Sequence, residues 1–395
     1  MKKDKIDWLT GLKGFGCVTV VFLHLLACLF PNAQNGGYKY IAAWDGMYNF
    51  IQLTPLNIFF NGSFFVYVFW TISAYLMALS YKENSQLFEK LFRKFFRLFF
   101  TASLISIIAF VLLKNGFYYY AQAGEIIEGS FWITERDYSV IGIWQLVREL
   151  LWDDWFATGY MIPPLWTMKT ELVGCLTTGF ILSTGQKDNK LLLGLLAFAL
   201  FGTTLSVYSC FLVGILLSNY SERKPYVGEI SFVIGCFLGA YPPTGVPVHG
   251  VYNWMYETIV SKLNRTFFDG HGVWHIYIIA SGLMMFGIIK SDLLKRVFSN
   301  KVFVFLGELS MIIYLCHIPV IWSLGAFTFY SLYNKNFSLV MSGIECWLAC
   351  LVYIIVVSII IKYVYDKFLN QYASFLANRI AGNSIIRNEK GVDTT

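Results

Sequence analysis

The chain has 395 residues, of which 57% are hydrophobic and only 14% are charged, and its formal net charge is +6. Average proteins carry about 25% charged residues, so this chain has too few charges to solvate the surface of a soluble protein. The composition excludes a soluble enzyme, a nucleic-acid-binding protein and a disordered scaffold, and it predicts an all-α integral membrane protein.

Apolar runs that are long enough to cross a bilayer follow one another along the chain. A helix needs about 20 apolar residues to span the hydrocarbon core. We predict about ten transmembrane helices, of which the fifth and sixth abut and could form one bent element. The predicted ranges are 9–30, 57–80, 98–118, 165–185, 190–207, 208–220, 226–242, 273–290, 302–328 and 341–365.

The distribution of basic residues predicts the orientation of these spans. If the N-terminus is cytoplasmic, most of the 30 Lys and Arg residues fall in segments on the cytoplasmic side, and the long outer loop 119–164 is acidic. The positive-inside rule therefore predicts that both termini are cytoplasmic. Residues 1–377 are predicted to form one membrane domain, and residues 378–395 a polar cytoplasmic tail.

The first span carries two ionisable residues on one face. Lys13 and His24 are eleven positions apart, which is three helical turns plus about 20°, and about 16 Å along the axis. Ionisable groups inside spans are costly and are often functional. The pair therefore indicates a path across the membrane. The alternative is that Lys13 snorkels to lipid phosphates and His24 hydrogen-bonds a neighbouring helix.

A basic cluster marks the cytoplasmic start of the third span. It comprises Lys90, Arg93, Lys94 and Arg97. Anchoring on anionic lipid is a sufficient explanation for such a cluster. The other interpretation is a clamp for the phosphates of a nucleotide-like donor, since Arg binds phosphate through two parallel hydrogen bonds.

The outer loop 119–164 combines aromatic rings with carboxylates, including Tyr138, Trp144, Glu149, Trp152, Asp153, Asp154 and Trp155. Rings stack on sugar faces and carboxylates bind hydroxyls, so one interpretation is a platform for a sugar. The other is an interfacial amphipathic segment, which the apolar periodicity around Ile143, Val147 and Leu150 favours.

The fourth span begins with Trp166, which is placed as an aromatic anchor at the membrane interface. Glu171 lies about one turn deeper. A carboxylate at that depth needs a partner, and a histidine is the natural one; the alternative is an interface carboxylate that still contacts water.

The ninth span has a polar stripe. Ser310, Tyr314 and His317 share one helix face, and Pro319 is expected to kink or loosen the helix beyond them. A stripe of this kind is either part of a site or a set of hydrogen bonds that pack helices together. The eight cysteines lie in or beside apolar runs and are predicted to be small buried hydrophobic residues. His271 and His275 lack a third ligand, so no metal site is predicted.

Five motifs occur in order along the chain. They are the pair Lys13 and His24 with ten residues between them, the run from Phe64 to Ser73-Ala74-Tyr75, Arg93-Lys94-Phe95-Phe96-Arg97, Leu165-Trp166-Thr167-Met168-Lys169-Thr170-Glu171, and Leu306-Gly307-Glu308-Leu309-Ser310 through Tyr314 to His317-Ile318-Pro319. Together they resemble the acyltransferase 3 family of integral membrane acyltransferases, which includes bacterial O-acetyltransferases of cell-surface polysaccharides. Four positions depart from the family pattern: Lys13 replaces Arg, Ala74 replaces Gly, Phe100 replaces Pro and Met311 replaces Tyr.

The resemblance implies transfer of an acyl group, usually acetyl, from cytoplasmic acetyl-CoA to a hydroxyl of a glycan on the outer side. It implies a multi-pass protein of the plasma (inner) membrane whose partners are acyl-CoA, a polysaccharide or glycolipid acceptor and membrane lipids. Acyl-CoA would be a substrate, with no permanently bound cofactor. The alternative class is a polytopic transporter or glycan flippase without acyl-transfer chemistry.

The resemblance also suggests roles for the candidate residues. His24 is expected to act as general base on the acceptor hydroxyl and Glu171 to orient its imidazole, as the third member of a catalytic triad does; alternatively, His24 carries the acyl group itself. The expected donor-binding residues are Lys13, Arg93, Lys94 and Arg97. The residues expected to line the site or contact the acceptor are Ser73, Trp166, Ser310, Tyr314 and His317.

Overall fold

The computed structural model describes residues 6–30, 50–83, 87–127, 141–156, 161–184, 192, 195, 206–220, 222–243, 250–263 and 272–380. Over these residues the protein is all-helical and contains no strand. The predicted fifth span, 190–207, lies almost entirely outside them. So does most of the predicted tail, because the last helix ends at Ile380.

Fifteen α-helices of six or more residues can be followed through the described ranges, several of them continued by short π-helical turns. They are α1 (Asp7–Leu29), α2 (Gly62–Glu83), α3 (Leu87–Lys114), α4 (Tyr120–Ile126), α5 (Ile143–Arg148), α6 (Trp166–Ser183), α7 (Ser209–Leu217), α8 (Pro225–Gly239), α9 (Gly250–Met255), α10 (Gly272–Lys290), α11 (Asp292–Phe298), α12 (Lys301–Val320), α13 (Ala326–Asn334), α14 (Leu339–Val364) and α15 (Asn370–Ile380).

Six helices in the described residues are long and apolar enough to cross a membrane: Asp7–Leu29, Gly62–Tyr81, Glu89–Lys114, Gly272–Lys290, Lys301–Asn334 and Leu339–Leu369. The chain is therefore a multi-pass membrane protein. The six coincide with the predicted spans one, two, three, eight, nine and ten. Two further predicted spans correspond to helices outside these six. The fourth corresponds to α6, whose 18 residues include Lys169 and Glu171, and the seventh corresponds to α8, which has only 15 residues.

The outer faces of the long helices are apolar, as lipid contact requires. Along α14, Leu348, Val352, Val356 and Ile360 are all exposed at intervals of about one turn. The inner faces hold small residues and hydroxyls, such as Ser358, which is fully buried. In a soluble protein the apolar residues of a helix face inward and the polar residues face outward. The opposite arrangement here fits a helix bundle that is surrounded by lipid hydrocarbon.

Helices α1 and α12 pack with their backbones almost in contact. A Cβ atom on Gly307 would lie 1.8 Å from the carbonyl oxygen of Thr10, and one on Gly14 would lie 2.3 Å from that of Phe303. Only glycine permits so close an approach, which is the usual role of small residues between membrane helices. The same device recurs between α8 and α10, where Gly228 and Gly287 face one another.

Pro319 lies in the last turn of α12. The helix does not end there, because a π-helical turn at Ile321–Gly325 follows directly and leads into α13. Proline removes a backbone donor and crowds the preceding turn, which is compatible with a widened turn at this place. The loosening predicted beyond Pro319 is thus confirmed.

Candidate functional site

Two histidines meet at the α1–α12 interface, in the C-terminal part of both helices. Nε2 of His317 lies 3.1 Å from Nδ1 of His24, and the ring centroids are 4.8 Å apart. His24 is 7% exposed and His317 is fully buried. Each imidazole also reaches a carbonyl one turn earlier in its own helix: Nδ1 of His24 lies 2.9 Å from Val20 O, and Nδ1 of His317 lies 3.0 Å from Ile313 O.

The register of α1 against α12 is what brings the histidines together. The helices run parallel, and the Cys17 thiol donates a hydrogen bond to the carbonyl of Ser310 at 3.2 Å. This pair and the histidine pair have the same sequence separation, 293 residues. The histidines therefore meet two turns further along both helices. Ser310 donates its hydroxyl to Gly307 O at 2.8 Å, so its polar groups serve helix packing.

Tyr314 links the histidines to the start of α6. Its hydroxyl lies 3.1 Å from Thr167 Oγ1 and donates to Pro164 O at 3.3 Å, and its ring centroid is 6.2 Å from that of His317. Thr167 is a site residue that the sequence analysis missed. Its position one turn before Glu171 on the same helix face was the available signal.

Glu171 binds a lysine. Its Oε1 forms an ion pair with Lys94 Nζ and accepts a hydrogen bond from the Ser73 hydroxyl. The Lys94 ammonium also donates to Ser73 Oγ and, at 3.0 Å, to Cys175 Sγ. This cluster of Ser73, Lys94, Glu171 and Cys175, termed the polar junction below, fastens α2, α3 and α6 together.

The expectation that Glu171 orients His24 is not met in this geometry. Among the described residues, no hydrogen bond joins the two side chains; Glu171 is held in the polar junction and His24 by His317. The reason is position along α6. Thr167 is the α6 residue that reaches Tyr314, and Glu171 lies one turn beyond it, about 6 Å along the helix.

The four residues predicted to bind the donor have different surroundings. Lys94 points into the polar junction. Arg93 pairs with Glu89 on its own helix, whereas Arg97 Nε donates to the hydroxyl of Tyr365 at 2.8 Å. Lys13 is half-buried on α1. The basic cluster is therefore divided between internal contacts and the helix surface.

Trp166 stands half-exposed at the start of α6. Its ring meets that of Trp70 edge to face, with centroids 6.1 Å apart, and 50% of the residue is accessible. This environment suits an interfacial aromatic anchor as well as a wall of a site.

The segment from Ile143 to Phe156 exposes apolar side chains and buries acidic ones. Its exposed residues include Ile143, Trp144, Val147, Leu151, Trp152 and Phe156. Its carboxylates face inward: Glu149 is fully buried and accepts from Met161 N at 2.9 Å, and Asp153 pairs with Arg148 at 3.2 Å. Burial and these two neighbouring carboxylates raise the pKa of Asp154 to about 8. Trp144 and Trp152 thus lie on the face opposite the acids, which favours the interfacial segment over the sugar platform. Trp155 is buried with the acids, and Tyr138 lies outside the described residues.

All eight cysteines have free thiols, seven of them buried and Cys236 partly so, as predicted. In the part of the chain that the structure describes, no group of three or more His, Cys, Asp and Glu side chains is arranged to hold a metal; His271 falls outside that part.

A protein-family model described as an acyltransferase domain matches residues 6–363. The match includes both histidines, the polar junction and the Arg93–Arg97 segment. No curated protein and no solved structure matches the chain.

Proposed function

The chain belongs to the acyltransferase 3 family, and from this membership we propose that it transfers an acetyl group from cytoplasmic acetyl-CoA to a hydroxyl of a cell-surface glycan or glycolipid outside the membrane. The family supports acyl transfer by a membrane protein. The donor, the acceptor, the plasma (inner) membrane and a ten-span topology with both termini cytoplasmic are our proposals. They rest on the motifs, the positive-inside pattern and the position of His24.

The observation that carries the proposal is the buried imidazole of His24. In the proposed orientation it lies in the outer half of α1, where an acceptor would arrive, and it is enclosed by helices that keep water from the thioester. A correctly placed general base contributes about 10²–10⁴-fold to the rate.

In the proposed reaction, His24 takes the proton of the acceptor hydroxyl. The hydroxyl oxygen then bonds to the thioester carbonyl carbon, the carbon–sulfur bond breaks, and CoA leaves as the thiolate that the His24 proton can neutralise. In the second form of the mechanism, His24 attacks the thioester first, releases CoA and passes the acetyl group on. Both forms give acetylated acceptor and free CoA.

For the donor we propose contacts with Lys13, Arg93 and Arg97 near the cytoplasmic ends of α1 and α3. Arg97 donates its Nε–H to the hydroxyl of Tyr365. Because a guanidinium has five N–H donors, Arg97 can bind a phosphate with the other four and keep its hydrogen bond to Tyr365. We propose instead that Lys94 and Glu171 stabilise the packing around the site, because they form an ion pair with each other in the polar junction.

The test uses purified protein in nanodiscs with radiolabelled acetyl-CoA and no acceptor. Release of CoA and label on the protein are followed in the wild type, His24→Ala and His275→Ala, the last being a buried histidine of α10 that serves as the matched control. We expect slow thioester loss that disappears only in His24→Ala; label retained on the protein would favour the acyl-enzyme form. Wild-type turnover in folded His24→Ala would refute the role of His24, and a folded wild type that neither binds nor turns over acetyl-CoA would refute acetyl-CoA as donor.

A further inference from the structure

We infer that His317 is a positioning residue: its neutral imidazole accepts the Nδ1–H of His24 and, together with the carbonyl of Val20, fixes the ring orientation and the tautomer of His24 that leaves Nε2 as the basic nitrogen. This inference rests on the proposed function, because it gives His24 the nitrogen with which it would take the acceptor proton. A carboxylate usually does this in a catalytic triad. Here another histidine does.

The tautomer of His24 follows from its carbonyl contact. Nδ1 lies 2.9 Å from Val20 O, and a carbonyl oxygen can only accept a hydrogen bond. An unprotonated Nδ1 would hold its lone pair against the lone pairs of that oxygen. Nδ1 of His24 therefore carries the proton, and in the neutral ring the lone pair belongs to Nε2.

The tautomer of His317 follows in the same way. Its Nδ1 lies 3.0 Å from Ile313 O, so this nitrogen also carries a proton. Its Nε2 lies 3.1 Å from the protonated Nδ1 of His24. Two N–H groups cannot point at each other, so Nε2 of His317 is unprotonated and accepts. With both rings neutral, one assignment satisfies all three contacts: each ring is protonated at Nδ1.

The same geometry argues against a proton relay between the rings. Passing the Nδ1 proton of His24 to His317 would leave Nδ1 bare and facing Val20 O at 2.9 Å. The proton therefore stays on His24, shared between Val20 O and His317 Nε2. When His24 becomes an imidazolium, these two acceptors stabilise its Nδ1–H.

The positioning depends on helix packing. Cys17 and Ser310 set the register of α1 and α12, and the absence of a Cβ at Gly307 lets the backbones approach. His317 itself is fully buried, so its ring cannot turn away to solvent. The packing of α12 thus holds Nε2 of His317 in place beside His24.

The first test needs no catalytic activity. The protein has five histidines, so ¹⁵N-histidine labelling gives few signals, and the His24→Gln and His317→Gln variants assign the two of interest. We expect both residues to be neutral and protonated at Nδ1 near pH 7. A proton on Nε2 of His24, or a charged His317, would overturn the inference whatever the activity of the protein.

The second test compares His317→Gln with His317→Leu in the CoA-release assay. The glutamine oxygen can accept from His24 Nδ1–H, whereas leucine fills similar space without an acceptor. We expect His317→Leu to lower kcat by about 10–100-fold, because the His24 imidazolium loses one of the two acceptors of its Nδ1–H. His317→Gln should recover most of the rate, and KM for acetyl-CoA should change little in either variant.

The outcomes separate the inference from the proposed function. Equal rates in folded His317→Gln and His317→Leu, whether high or low, would refute the acceptor role of His317 while leaving that of His24 intact. Full activity in His24→Ala would instead refute the proposed function. If His317→Leu does not fold, the glutamine variant and the ¹⁵N spectra of the wild type still decide the question.

Discussion

Neutralising Glu171 tests the polar junction directly. Glu171→Gln keeps an oxygen for Ser73 but leaves the ammonium of Lys94 without its countercharge. Breaking a fully buried ion pair on one side costs about 3–5 kcal/mol, and an exposed pair contributes about 0–1 kcal/mol. The side chains of Lys94 and Glu171 are 31% and 13% exposed. We therefore expect a loss of about 2 kcal/mol, intermediate between those limits.

The assay is a double-mutant cycle of Glu171→Gln, Lys94→Met and the combined variant, with the free energy of unfolding measured by SDS titration in mixed micelles. We expect a coupling energy of about 1–2 kcal/mol, with the double variant more stable than the sum of the single losses implies. The control cycle uses Arg223 and Asp292, an ion pair whose side chains are 72% and 52% exposed, for which coupling should stay below about 1 kcal/mol.

Additive losses in the Lys94 and Glu171 cycle would refute the view that the two side chains hold each other. Activity distinguishes the two roles considered for Glu171. If it orients His24, Lys94→Met should leave kcat intact while Glu171→Gln abolishes it. If it acts through the junction, both substitutions should lower kcat in proportion to their effect on stability.

Three further predictions address packing, protonation and donor binding. Gly307→Ala should cost about 3 kcal/mol or more by forcing α1 and α12 apart, whereas Gly142→Ala, whose Cβ meets nothing within 4 Å, should not destabilise the protein. Asp154 has its pKa raised from 3.8 to about 8, so the folded state holds a proton that the unfolded state releases. The free energy of unfolding of the wild type should therefore fall as the pH rises from about 3.8 to about 8, and Asp154→Asn should remove that fall. The Arg93→Ala, Arg97→Ala double variant should raise KM for acetyl-CoA several-fold at constant kcat.

Each of these has a contrary result. A Gly307→Ala protein with wild-type stability would mean that the helices separate without cost. A wild-type stability that is flat from pH 4 to pH 8, or the same slope in Asp154→Asn, would show that Asp154 ionises freely when folded. If the double arginine variant changes only protein abundance or topology, the two arginines are lipid anchors.

The sequence predicted the helices better than the contacts between them. Apolar length alone located the six long spans, because a membrane helix satisfies its own backbone. His24 and His317 each stood out as ionisable residues in apolar runs. Their pairing was not predictable, because it depends on the register of two helices that are 293 residues apart in sequence. The apolar periodicity within each helix does not show which residue of the other helix lies opposite.

The contacts of the basic cluster were not predictable from helical phase. Arg93 and Arg97 are four positions apart, and Lys94 and Arg97 are three apart, so these spacings make neighbours of both pairs on α3. In the structure Lys94 contacts Ser73 and Glu171, whereas Arg93 and Arg97 have other partners. This division depends on where α2 and α6 pack against α3, and no spacing within α3 contains that information.

The separation of the two polar constellations has a chemical consequence. A carboxylate against His24 would favour a resident imidazolium, which cannot accept a proton. In this fold Lys94 holds the nearby carboxylate of Glu171, and His24 contacts a neutral imidazole and a carbonyl instead. The connection between the constellations runs through neutral hydroxyls, from Tyr314 to Thr167 one turn before Glu171. The fold thus places a carboxylate in the membrane domain and still leaves His24 an uncharged base. Positioning by His317 and stabilisation by the polar junction therefore complement each other.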